Sequence, residues 1–166
     1  RYKEETTPKN EVIIAPYDAK NIYMVQFHND DQKWSADRAP IIALFNEYFG
    51  GGMNAIVFQE LRESRGLAYS AYAKYDSPYR LGGNENFYTY IITQNDKMMD
   101  CVKEFNKLLN NVPVRQSGFD LAKQSLMKSL ASNRTTKYAI LTSYLAAQRL
   151  GIDYSLSEKI YKAIPS

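Results

Sequence analysis

The chain has 166 residues, the size of one domain that buries roughly two thirds of the surface its unfolded form exposes. Its 21 basic and 18 acidic residues leave a net charge of +3, and the basic residues form no dense run, so charge neither requires nor excludes a nucleic-acid partner. Cys101 is the sole cysteine, which excludes an internal disulfide and any cysteine-rich metal site; no apolar run approaches the roughly 18 residues of a membrane span.

Residues 1–10 are polar and charged, with Pro8, and read as a linker without the apolar core of a secretory signal. Any such signal would lie outside this chain. The chain is expected to be soluble, and its compartment stays open. Val12–Ala15 reads as an edge strand, and Pro16, Tyr17 and Asp18 as the turn that follows it. Ile22–His28 is nearly all apolar and reads as a central strand.

A helix is predicted to start within Ser35–Pro40, capped by Ser35 or Asp37, with Pro40 in its first turn. Ile41, Leu44, Phe45, Tyr48 and Phe49 follow the spacing of a buried helical face. Gly50, Gly51 and Gly52 end it as a hinge or turn, a run with high backbone entropy and ready access to positive φ. Asn54 is the expected cap of a second helix, with Ile56, Val57, Glu60–Leu61 and Ser64 along its buried side. Gly66 falls just past its end. Arg62 and Arg65 in the last turn suit the negative end of the helix dipole.

Tyr69–Tyr75 and Phe87–Thr93 alternate as the strands of an antiparallel hairpin, and the tyrosines of YSAYAKY and FYTYIIT suit a half-exposed sheet face. Asn95 or Asp96 is the expected cap of a helix that Pro113 stops. Phe119–Leu130, Tyr138–Leu150 and Leu156–Ile164 are further helices, with Gly151 closing the middle one. The order, β-α-β-β-α-α in outline, predicts an α+β domain over residues 11–166: two layers, a mostly antiparallel sheet with helices on one face.

Among chemistry-bearing residues, His28 is the only histidine, and no H-x-x-E-H or H-E-x-x-H occurs, so this chain cannot supply the three ligands of a catalytic zinc site. The plain reading of His28 is a surface histidine at a strand end. Cys101 lies between Met98 and Phe105 on an apolar helix and reads as a buried structural thiol, in preference to the nucleophile of a Cys101–His28 pair. The triple glycine lacks a phosphate-loop pattern and follows a helix. RGLAYSAY has most of the aromatic signature of an RNA-recognition strand, with Ile22–Phe27 as its partner; a helix running into the signature argues against it. Arg62 and Tyr69 lie either side of the Gly66 turn and are placed to converge. The arginine offers a fork of donors to a carbonyl or carboxylate, and the phenol a donor to an oxyanion. The plainer alternative is a solvated helix-end arginine and one more sheet tyrosine.

The stretch FGGGMNAIVFQELRESRGLAYSAYAKY, Phe49–Tyr75, closely resembles domains of the insulinase/pitrilysin family of zinc metallopeptidases, the inverzincins. The preceding strand and the following hairpin and helices fit as well. The resemblance implies a clamshell of two or four similar α+β domains. One half carries H-x-x-E-H and the zinc. The facing half lends an arginine and a tyrosine seven residues apart, which are Arg62 and Tyr69 here. It thus implies a non-catalytic, C-terminal-type clamp domain with no cofactor of its own and inactive alone. Its partners would be a catalytic half, on the same chain or another subunit, and a peptide substrate. Tyr69 would stabilise the oxyanion, and Arg62 would orient substrate or that tyrosine. The family domain continues into a further helix and closing strand that nothing after Ile164 supplies, so the domain is expected to be truncated there. The other class open to such a chain is a structural or targeting subunit with a peptidase-like fold.

Overall fold

The computed structural model describes residues 8–164. Its three strands, β1 (Asn21–Lys33), β2 (Ser70–Asp76) and β3 (Asn84–Gln94), form one antiparallel sheet in the order β1-β3-β2. Helices α1 (Ala39–Phe49) and α2 (Ile56–Phe58) precede β2. The chain then continues from α2 as a π-helical turn, Gln59–Ser64. Helices α3 (Met98–Asn110), α4 (Gln116–Ser132), α5 (Lys137–Arg149) and α6 (Leu156–Ala163) follow β3. The architecture is α+β, as the hydrophobic periodicities predict.

β3 is the centre because both its edges are paired and its side chains alternate strictly. Phe87, Thr89, Ile91 and Thr93 are buried, whereas Tyr88, Tyr90 and Ile92 are half-buried. In register with them, Met24, Gln26 and His28 of β1 and Ala71, Ala73 and Tyr75 of β2 share the inner face. Against that face pack Phe49, Val57, Leu61 and Phe105, all fully buried. Ala71 and Ala73 are small, which lets the helix layer approach the sheet closely.

β1 lies at an edge of this sheet, not at its centre. Its apolar run misled because Tyr23, Val25 and Phe27 point away from the helices and are largely exposed. Val12–Ala15 forms no strand: Val12, Ile13 and Ile14 are exposed, with no ladder pairing among the described residues. β1 also runs on past His28, so that histidine is within the strand. A bulge between Asn29 and Lys33, with Asp31 at φ 57°, re-aims the strand end. There the Lys33 ammonium donates to Asn84 Oδ1 (2.6 Å).

The opposite edge, β2, is covered. Tyr75 N donates to Asn46 Oδ1 (2.8 Å), Asn46 Nδ2 donates to Tyr75 O (2.9 Å), and Ala73 N donates to Gly50 O (3.3 Å). The end of α1 thus takes up hydrogen-bonding groups that an edge strand would otherwise offer to another chain. Arg38 is the N-cap of α1, without a side-chain cap bond; Ser35 Oγ instead accepts from Asp37 N in the turn before it. The Arg38 guanidinium lies 3.1 Å from the buried carboxylate of Glu85.

The helix ends differ from the sequence expectation in two more places. Ala55, not Asn54, is the N-cap of α2, and Lys97, not Asn95 or Asp96, that of α3, which a short 3₁₀ turn over Asn95–Lys97 leads into. Thr136 and Ser155 do cap α5 and α6 through their side-chain oxygens.

Candidate functional site

The site begins at the triple glycine. Gly50 sits at φ −137°, so positive φ is not its reason; room is. A Cβ there would lie 1.9 Å from the Ala73 carbonyl oxygen. Gly51 N donates back to Asn46 O (2.7 Å), and Gly52 O accepts from Ala55 N (3.0 Å), which launches α2.

Past Phe58 the helix widens to a π turn. The wider turn shifts the angular period, so Ser64, which an α-helical count puts on the buried side, is exposed while Leu61 is fully buried. Gly66 terminates it as expected, at φ 57°, with its N–H donating to Arg62 O (3.0 Å) inside a second bond from Leu67 N to Leu61 O (2.9 Å), a left-handed helix ending. Tyr69 N then donates to Ile92 O (2.8 Å), which docks the chain on β3.

Arg62 and Tyr69 come together across this turn. The Arg62 guanidinium carbon lies 4.9 Å from the centroid of the Phe58 ring and 5.9 Å from that of Tyr69. Its Nε is 3.7 Å from the Glu63 carboxylate. The Arg62 side chain is 45% exposed and Tyr69 74% exposed, so both polar groups face solvent. A cation between two ring faces gains about 0.5–1 kcal/mol per exposed contact, enough to bias a rotamer without fixing it.

The other candidates lie elsewhere. Cys101 is fully buried and its Sγ donates to Leu67 O (3.3 Å), as a structural thiol would. His28 is exposed, packed on the Phe87 ring (5.9 Å) at a cleft that Tyr75 and Leu109 also line. Among the described residues no three His, Cys, Asp or Glu side chains group as metal ligands, and no helix is long and apolar enough to cross a membrane. The helix before RGLAYSAY occupies the place where an RNA-recognition fold puts a strand. On the outer face of the sheet, the Tyr72 ring lies tilted against Tyr90 (5.3 Å) and edge-on to Tyr88 (6.0 Å); burial, then Tyr88, pushes its hydroxyl pKa up. Lys74 is raised too, by Tyr88 first and Asp76 after it.

The family model described as the peptidase M16 inactive domain matches residues 1–126. The chain belongs to the peptidase M16 inactive-domain family. The insulinase/pitrilysin resemblance and the non-catalytic standing of the chain are thereby established. The M16 domain is similar to an uncharacterised zinc protease of Streptomyces coelicolor, 43% identical over 44 residues, 26% of this chain and 8% of that protein. A crystal structure of a peptidase M16 inactive domain from Pseudomonas fluorescens has the same fold: TM-score 0.64, 23% identity, covering 86% of this chain and 33% of that one. A protease from Helicobacter pylori also shares the fold, with TM-score 0.61 and 14% identity over 89% of this chain and 38% of the other. This chain therefore spans 33% and 38% of those solved chains.

Proposed function

We propose that this M16 inactive domain is the substrate-facing clamp of a zinc metallopeptidase, a partner for a catalytic half that bears H-x-x-E-H. Arg62 and Tyr69 are its contribution to peptide cleavage. The supporting observation is that the two side chains, seven residues apart, meet at one exposed corner, 5.9 Å from guanidinium carbon to ring centroid. The catalytic half supplies zinc and the activated water. This domain's own work is electrostatic. The Tyr69 hydroxyl donates to the oxygen of the scissile carbonyl as negative charge builds on it. The Arg62 guanidinium, held over the phenol ring and open to solvent, orients the peptide or that ring.

Loss of one oxyanion donor typically costs about 100- to 1000-fold in turnover. Tyr69→Phe keeps the ring and its contact with Arg62 and removes only the hydroxyl. Steady-state kinetics of the two-half peptidase should show kcat falling by about that factor with KM little changed, the pattern of an interaction made only in the transition state. An unchanged kcat would leave the domain a structural part of the assembly.

A further inference from the structure

The turn between Arg62 and Tyr69 is gripped from one direction. Thr93, at the end of β3 and almost fully buried, donates its hydroxyl to Leu67 O (2.5 Å). Lys97 donates its ammonium to Gly66 O (3.1 Å), and Cys101 Sγ also reaches Leu67 O (3.3 Å). Glu104, one turn further along α3, holds Arg65 (3.2 Å). Lys97, Cys101 and Glu104 are spaced four and then three residues apart, one face of a helix. From within the turn, Leu67 N and Ala68 N both donate to Leu61 O (2.9 and 3.2 Å).

These bonds are more than a helix ending of this type requires. Backbone bonds within the turn, Gly66 N to Arg62 O and Leu67 N to Leu61 O, already complete the left-handed cap. Thr93 and Lys97 instead fix the orientation of two successive carbonyls, and hence the path of the backbone that connects Arg62 to Tyr69. We propose that Thr93 and Lys97 are positioning residues, which set the reach of the Tyr69 hydroxyl by clamping the Gly66–Leu67 peptide units to the β3–α3 junction. The inference rests on the reading that this pair serves the substrate. Tyr69 has one backbone tether of its own, to Ile92 O, and its ring is exposed. A turn free to shift by an ångström would move its hydroxyl relative to the carbonyl it serves, and displacements of that size cost up to about 100-fold in rate.

The test is a double-mutant cycle in the two-half peptidase, with kcat and KM measured for a peptide substrate and a thermal melt for each variant. Thr93→Val, which keeps the shape and removes the donor, should lower kcat about tenfold with KM within about twofold. Thr93→Ser should restore it. Lys97→Met, on the surface, should lower kcat in the same sense and carries the test if Thr93→Val does not fold. In the Tyr69→Phe background, neither change should lower kcat further, because no hydroxyl remains to be positioned. Equal losses in both backgrounds would reduce the grip to stability alone and overturn the proposal. So would wild-type kcat in both Thr93→Val and Lys97→Met while Tyr69→Phe is slow; that result spares the clamp reading. A Tyr69→Phe enzyme with full kcat would remove the clamp reading and this inference together.

Discussion

Two glycine turns bracket the helix that carries Arg62, and they are glycine for opposite reasons. At Gly50 the backbone angle is one that any residue adopts, but a Cβ would fall 1.9 Å from the Ala73 carbonyl oxygen. At Gly66 nothing lies within 4 Å of where a Cβ would stand, and the constraint is φ 57° alone. The first turn is jammed against the sheet; the second is open. Steric room depends on the tertiary fold, whereas a left-handed angle is a local property of the turn. The two should answer differently to the same substitution.

The largest effect is expected at Gly50. The clash in Gly50→Ala is with backbone, which has no rotamer to yield, so α1 has to lift from β2. That lift strains the Ala73 N–Gly50 O bond and the two-way Asn46–Tyr75 pairing on the same edge. Overpacking typically costs about 1–3 kcal/mol, and a clash with unyielding backbone places Gly50→Ala at the top of that range. Urea unfolding should show the midpoint fall with little change in slope. A wild-type midpoint would mean that the helix end and the strand are not in contact in solution.

Gly66→Ala should cost less, about 1–2 kcal/mol, the penalty of a Cβ in the left-handed region. Gly66→Asn should lie between alanine and wild type, because a short polar side chain tolerates that angle. The same pair of substitutions at Gly50 should show the reverse ranking, asparagine being worse than alanine because it is larger. That crossed order is the sharpest check on the difference between the two turns.

This contrast also explains what the sequence made legible. Gly66 was readable because its cue is local: a helical pattern ends, and a glycine stands one residue on. The seven-residue separation of Arg62 and Tyr69 and the β2–β3 hairpin were readable for the same reason. The role of Gly50 was not, because Ala73 lies more than twenty residues away and its approach is set by the whole helix layer. The grip of Thr93, Lys97 and Cys101 on the turn spans 26 to 34 residues and uses residue types that carry no motif. β1 was misplaced at the centre because an apolar run records burial potential but not which neighbour lies beside it. The π turn escaped because a helical count assumes one period, and Ser64 fell on the wrong side of it. The fold class and the closeness of Arg62 and Tyr69 across the turn were therefore visible, and the long-range bonds that hold the turn were not.

The smallest expected effect tests whether the jammed turn depends on the far end of α1. There Asp37, in the turn before the helix, pairs with Lys159 of α6. Lys159, first by hydrogen bond and then by charge, holds the Asp37 carboxyl below its usual value, and Asp37 in return raises Lys159. A carboxyl lowered in the folded state contributes stability above its unfolded pKa, near 3.8, that is lost as pH falls through the folded value. The raised lysine acts at the other end of the scale, contributing below its unfolded pKa near 10.5 and losing that as pH rises through its folded value. Both groups titrate outside the neutral range, so α6 should stay seated between about pH 5 and 9. Below pH 4 the protection factors of its amides, taken against the intrinsic exchange rate at each pH, should fall by a small factor because the pair is solvent-screened. If Gly50 is held by contact with β2 alone, amide protection at Ala73 should not follow α6 down. Loss of protection at both together would mean that α1 seats as one lever, and that the jam at Gly50 is maintained from its opposite end.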